Sequence, residues 1–405
     1  MLGFLKSVHP VKLAKALQDR TPLGLLQLNH DRMRLLTAIA GITFADVLIF
    51  MQLGFADALY KSNTQYPRLL NTDIVLIGSQ AESFARLRTF SRRRLYQAQD
   101  IPGVSAVSPL YIASKEWRNP QTGEKQSMQV IGQDPNIEAL NLPEVNRQLA
   151  ITRLPDTVLF DRAARGEYDA IVAQVEQGET ATTAIETRTV TIAGLFTAGA
   201  SFADDGSIIT STNNFLRFFP NRESGAVSMG LIDLDPDIDT EEEIEAVRAA
   251  LDEHLPEDVI VLTQQGYVDF EMAEIQQNSP IGFVFSVGSA MGFIVGIVIV
   301  YQVLSTDVSS HLSEYATFKA MGYRNSYLLG VIFEEALILS VLGFVPGVVI
   351  ALGVYQLAAT ATALPMAMNT GRAVFVFVLT LLMCGGSGAI ATRRLQSADP
   401  ADIFS

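Results

Sequence analysis

Four long apolar runs decide what this chain of 405 residues can become. They occupy residues 35–56, 281–304, 336–358 and 373–391. At about 1.5 Å of rise per residue, a helix of such length reaches roughly 30 Å, the thickness of a bilayer's hydrocarbon core. Only a helix or a closed barrel satisfies its own backbone polar groups there. The sequence therefore predicts four transmembrane helices, with spans at 35–58, 281–304, 336–358 and 373–391. The first run is too long for the apolar part of a secretion signal, and it is expected to persist as an anchor.

Orientation follows from the basic residues near the span ends. Residues 1–34 carry Lys6, Lys12, Lys15, Arg20, Arg32 and Arg34. The segment 305–335 carries Lys319 and Arg324, and the tail 392–405 carries Arg393 and Arg394. The loop 359–372 has only Arg372. Both termini are thus expected in the cytoplasm, with residues 59–280 and the short loop 359–372 outside. Residues 4–18 have the pattern of a basic amphipathic helix that could lie on membrane lipid.

Residues 59–280 are too many for a loop and read as a folded α+β domain. Residues 71–113 give strand, helix (81–99) and strand, and residues 226–263 repeat that order. Between these β-α-β halves, residues 114–225 are rich in Thr, Val and Gly and are expected to be mostly β. Thr240 and Glu243 have the spacing of a capping box, so the acidic run at 233–245 is expected to start a helix rather than hold calcium. Residues 59–280 hold 18 Lys and Arg against 33 Asp and Glu, a charge of −15, and the rest of the chain is near neutral at +1. Nucleic acid, which needs a basic footprint, is not an expected partner. The exception is the basic stretch with Arg86, Arg88, Arg92, Arg93 and Arg94, read as a solvated face.

No pattern for a catalytic centre is present. The sequence has no G-x-x-x-x-G-K-[ST] for ATP, no H-E-x-x-H, no C-x-x-C and no G-x-S-x-G. The four histidines are scattered, and Cys384 is the single cysteine. The chain is read as a non-enzyme that needs no cofactor and no metal. Two features inside the spans stand out. Asp46 lies midway through the first, where a carboxylate costs roughly 2.5–3.5 kcal/mol on insertion scales, and it is expected to face other helices. Gly288, Gly292 and Gly296 share one face of the second, where backbones can approach closely.

The segment between the second and third spans carries Glu314, Tyr315, Ala316, Thr317, Lys319, Ala320, Met321 and Gly322, and continues to Glu335-Ala-Leu-Ile-Leu-Ser340. These residues resemble the coupling loop of the MacB/FtsX (type VII) ABC permeases. The ending Ala398-Asp-Pro400 and the order of one span, a large domain and three spans are similar to the same family. Residues 22–28, 33–36, 41–55 and 158–162 resemble its DevC branch. The resemblance implies the permease subunit of a tripartite ABC exporter in the inner (plasma) membrane, packed as a homodimer. It implies a separate ABC ATPase subunit docked on Glu314–Gly322, a periplasmic membrane-fusion adaptor on the domain, and a TolC-like outer-membrane channel reached through the adaptor. The cargo would be lipid-like or another envelope substrate. An FtsX-like signalling subunit, which controls a periplasmic partner without transport, is the alternative that the same residues allow.

Overall fold

The computed structural model describes residues 32–277, 280–310, 317, 321 and 325–397. The basic segment up to residue 31 and the Ala-Asp-Pro ending lie outside the described residues. Two compact units are present. One holds the described residues up to Gly54, Val284–Gln356 and those from Ala367 onward, and the other holds Phe55–Phe283 with Leu357–Met366.

The elements run α1 (Arg32–Leu69), β1 (Ile74–Gly78), β2 (Phe90–Ser91), α2 (Arg93–Ala98), β3 (Val104–Arg118), β4 (Lys125–Gln133), α3 (Pro143–Asn146) and β5 (Thr157–Asp161). Then come α4 (Asp169–Glu176), β6 (Ala181–Ile185), β7 (Arg188–Phe196), β8 (Gly206–Ser211), α5 (Thr212–Phe218), β9 (Ala226–Val227) and β10 (Met229–Leu234). The series closes with α6 (Glu241–His254), β11 (Val259–Thr263), α7 (Gln264–Gln277), α8 (Pro280–Ser310), α9 (Asn325–Thr362) and α10 (Thr370–Ser397). Among the described residues, four helices are long and apolar enough to cross a membrane, over Leu35–Leu69, Gly282–Ser310, Gly330–Thr362 and Thr370–Ala391. The rest forms a mixed α/β domain. Helices α9 and α10 run further than their apolar runs, so the connection expected over 359–372 is only the seven residues between Thr362 and Thr370.

Nine strands of the domain join in the order β11-β1-β10-β3-β4-β8-β5-β7-β6. β1 is a run of β-branched and Leu residues buried along its whole length, as a strand covered on both faces must be. Its alternate side chains serve two apolar layers. Ile74 and Leu76 join Leu95 of α2 and Leu251 of α6, whereas Val75 and Ile77 join Tyr66 of α1 and Tyr267 of α7. The capping box at the start of α6 is formed by Thr240 and Glu243.

β3 has two sets of partners. Val104–Leu110 pair with β10, and Tyr111–Arg118 pair with β4. β6 also returns to the end of β3 through Trp117 and Arg118, so the strands β3-β4-β8-β5-β7-β6 close into a ring. Trp117 is fully buried there and stacks on Phe160 at 5.4 Å. The expected start of a middle section at residue 114 falls inside β3.

The helix expected over 81–99 is confined to Arg93–Ala98. Phe84 stacks on Tyr66 in one apolar layer, while Phe90 belongs to the opposite layer with Leu95. A single amphipathic helix has one apolar stripe and cannot feed both layers; instead the chain makes a tight turn closed by Ser83 and Arg86 and then enters the short strand β2. The Arg stretch is correspondingly divided: Arg94 pairs with Asp258 at 3.0 Å, Arg86 pairs with Glu82 at 3.4 Å, and Arg92 lies over Tyr96.

On α7, Tyr267 and Glu271 lie one turn apart and are both wholly buried. The Glu271 carboxyl sits beside the Tyr267 side chain and the Phe84 backbone, and burial pushes it up to about 7.

Candidate functional site

The buried residues Ala38, Ile42, Ala45, Asp46 and Ile49 recur at helical spacing and give α1 one continuous inward face within the helical unit. The facing helices meet it with glycine. A methyl group added at Gly288 would reach 2.5 Å from the Gln52 side chain, one at Gly292 3.1 Å from Ile49, and one at Gly296 3.0 Å from the Ala45 methyl. The three glycines of α8 therefore line up with successive turns of α1. Gly343 and Gly347 of α9 do the same from another side, against Ile42 and Asp46. The absence of side chains lets backbones close on one another, where dispersion and polar contacts hold membrane helices together.

A polar seam runs through this packed face. Asp46 is fully buried, and its Oδ1 accepts a hydrogen bond from the Thr380 hydroxyl of α10 at 2.7 Å. Its Oδ2 makes no hydrogen bond. Three residues earlier, Thr43 donates to the Gly343 carbonyl of α9 at 3.0 Å. Ser387 of α10 donates to the Ile297 carbonyl of α8 at 3.0 Å. The Tyr355 hydroxyl of α9 bonds the Phe50 carbonyl of α1, and Arg372 of α10 donates to that same hydroxyl at 3.1 Å. One helix, α1, is thus tied to α9 through Thr43 and the Phe50 carbonyl and to α10 through Asp46. Among the described residues, no group of three His, Cys, Asp or Glu side chains is placed to hold a metal ion.

This arrangement fastens helices. Thr380→Val leaves Asp46 without its donor, and the loss is expected to be about 1 kcal/mol, the scale of an interhelical hydrogen bond in a membrane protein. Equilibrium unfolding of the full chain by SDS in mixed micelles measures it, and a curve superimposed on wild type would refute the importance of the bond.

Thr380 and Tyr355 were not singled out by their sequence positions, because a Thr or Tyr is unremarked in a span until a partner is known, and Arg372 was noted only for the orientation of its loop. Of the expected ATPase-contact residues, Thr317 and Met321 are described. Both are exposed, and the Met321 N–H donates to the Thr317 carbonyl at 3.0 Å, the spacing of one helical turn. Glu314, Tyr315, Ala316, Lys319, Ala320 and Gly322 lie outside the described residues.

Residues 286–400, which take in α8 from residue 286, the connecting segment, α9 and α10, match the family model of the FtsX-like permease C-terminal region. Over that stretch the chain is similar to the FtsX-like permeases. The FtsX-like region contains Gly288, Gly292, Gly296, Gly343 and Thr380, so it supplies the partners of α1 but not α1 itself. Solved structures similar to the chain include the periplasmic region of MacB from Actinobacillus actinomycetemcomitans, at 12% identity and a TM-score of 0.35, covering 49% of this chain and 91% of that one. Another is the extracellular domain of the noncanonic ABC-type transporter YknZ from Gram-positive bacteria, at 12% identity and a TM-score of 0.30, covering 47% of this chain and 100% of that one. No curated protein matches the chain.

Proposed function

We propose that this chain is the permease subunit of a MacB/DevC-type tripartite ABC exporter, and that it passes the motion of a separate ATPase to its α/β domain to move a lipid-like or other substrate across the envelope. The observation that carries the reading is the FtsX-like match, which spans the segment joining α8 to α9. In this reading Glu314–Gly322 form the ATPase contact, on the cytoplasmic side of the inner membrane together with both termini. Two copies pair, and a membrane-fusion adaptor seated on the domain leads to a TolC-like channel. The spans need no polar pore, because the cargo is taken from the outer side. The few polar groups within them, Asp46, Thr43, Thr380 and Ser387, bond to other helices rather than to an open path, which favours a bundle that moves as a mechanical part.

An FtsX-like signalling subunit would share every membrane element. The nine-stranded domain favours export, since it offers a large surface on which an adaptor could sit. Glu314→Lys reverses a charge in the proposed ATPase contact. It is expected to reduce co-purification of the ATPase subunit with the full chain by roughly tenfold, while membrane insertion is unchanged. Undiminished ATPase retention and export in that variant would remove the contact from Glu314. A hydrolase rather than an adaptor bound to the domain would turn the reading to signalling.

A further inference from the structure

Within the domain unit, the loop between β7 and β8, residues 197–205, is held from several directions. The fully buried Asp161 at the end of β5 accepts from the Ala198 N–H at 3.0 Å and the Gly199 N–H at 2.7 Å. Asp204 accepts from Ser127 at 2.6 Å and Ser114 at 2.9 Å. The Gln65 amide of α1 donates to the Ala198 carbonyl at 2.5 Å.

Arg165 is built into the same loop by its backbone. Its N–H donates to the Asp205 carbonyl at 2.6 Å, and its own carbonyl accepts from Gln126 at 2.8 Å. Gly166, next in the chain, has φ of +125°, a conformation that a side chain at that position would oppose. The guanidinium is thereby aimed, and all three of its nitrogens are used. Nη1 pairs with Asp205 at 2.8 Å, Nη2 donates to the Ser201 carbonyl at 3.2 Å, and Nε donates to the Thr362 carbonyl at 2.7 Å.

Thr362 is the last residue of α9. Its carbonyl is among those that a helix leaves without an internal partner, and the negative end of the helix favours a cation there. The helix stops because Ala363 turns to φ of +51°, a left-handed conformation that costs a non-glycine residue roughly 1–2 kcal/mol. A strained stop needs support from outside the helix, and Arg165 supplies it.

We propose that Arg165 is a positioning residue that clasps the last turn of α9, which belongs to the domain unit, to the 197–205 loop. The rigid side of the clasp is Asp205, Ser201 and the Arg165 backbone. The single bond to Thr362 is the part that opens.

Hydrogen exchange of the full chain in lipid nanodiscs tests this without nucleotide or any other subunit, so its outcome is independent of the export reading. Arg165→Ala is expected to speed exchange over 359–366 about tenfold, with the strands β1 and β5 unchanged. Arg165→Lys should restore only part of the protection, because one ammonium cannot reproduce a three-way fork. Unchanged exchange over 359–366 in a folded Arg165→Ala chain overturns the proposal, and so does full rescue by lysine. Should Arg165→Ala fail to fold, Asp205→Asn, which frees the guanidinium while keeping the backbone bonds, must show the same local acceleration or the proposal falls.

Discussion

Gly343→Leu is expected to cost about 3 kcal/mol or more of bundle stability, whereas Gly353→Leu, ten residues along the same helix, is expected to cost less than about 0.5 kcal/mol. The difference comes from what each position faces. A methyl group at Gly343 would lie 2.5 Å from Cγ2 of Ile42 and 2.6 Å from its Cβ. The Cβ is fixed to the α1 backbone, so no change of rotamer relieves the clash, and the helices must separate. Separation would also stretch the Thr43 bond to the Gly343 carbonyl. Gly353 has nothing within 4 Å of such a methyl. SDS unfolding of both full-length variants, followed by far-ultraviolet circular dichroism, reads the contrast, and equal midpoints for the two would contradict the packing described.

The second large effect is a dependence of the domain on pH. The Glu271 carboxyl titrates near 7 in the folded chain, against an ordinary value of 4.5, because it is buried. The folded state therefore binds more protons than the unfolded state between about 4.5 and 7. Stability is greatest below that interval and falls as the pH rises through it, by about 3 kcal/mol over the whole range. Above it the dependence ends. Denaturant unfolding, monitored by emission of the buried Trp117, the single tryptophan, gives the curve directly. Glu271→Gln should make it shallower, leaving the slope of the same sign from Asp161, Asp204 and Asp233, whose carboxyls burial also raises, and make the domain more stable than wild type at pH 8. A wild-type curve that rises over the same range would contradict the burial of a carboxyl at this position.

The membrane helices were legible because hydrophobic length is a direct physical requirement of a bilayer, and four runs met it. The strand–helix–strand order at the two ends of the domain was legible for a similar local reason, since β1 and α6 carry their patterns within a few residues. The helix expected over 81–99 failed because Phe84 and Phe90 are divided between two layers, and that division depends on a sheet that β10 and β11, over a hundred residues away, complete around β1. The expected beginning of a middle section at 114 missed for the same reason, as only pairing with β4 shows that the strand continues to Arg118. Asp46 was conspicuous as a charge in an apolar run. Its partner Thr380 was not, being 334 residues distant and ordinary in composition. Arg165 was invisible among the polar residues of the domain, because what distinguishes it is the Gly166 conformation and the carbonyls around it.

β3 carries one further lesson for anyone who would re-engineer the domain. A single fifteen-residue strand serves β10 with its first half and β4 with its second. Extended backbone cannot be severed midway without orphaning ladder bonds on both sides, so the region beyond residue 113 is not a detachable cassette. A graft exchanging it with a relative's must carry the whole strand and the register of both neighbours, including the register shift at Ser105 opposite Asp233 and Leu234.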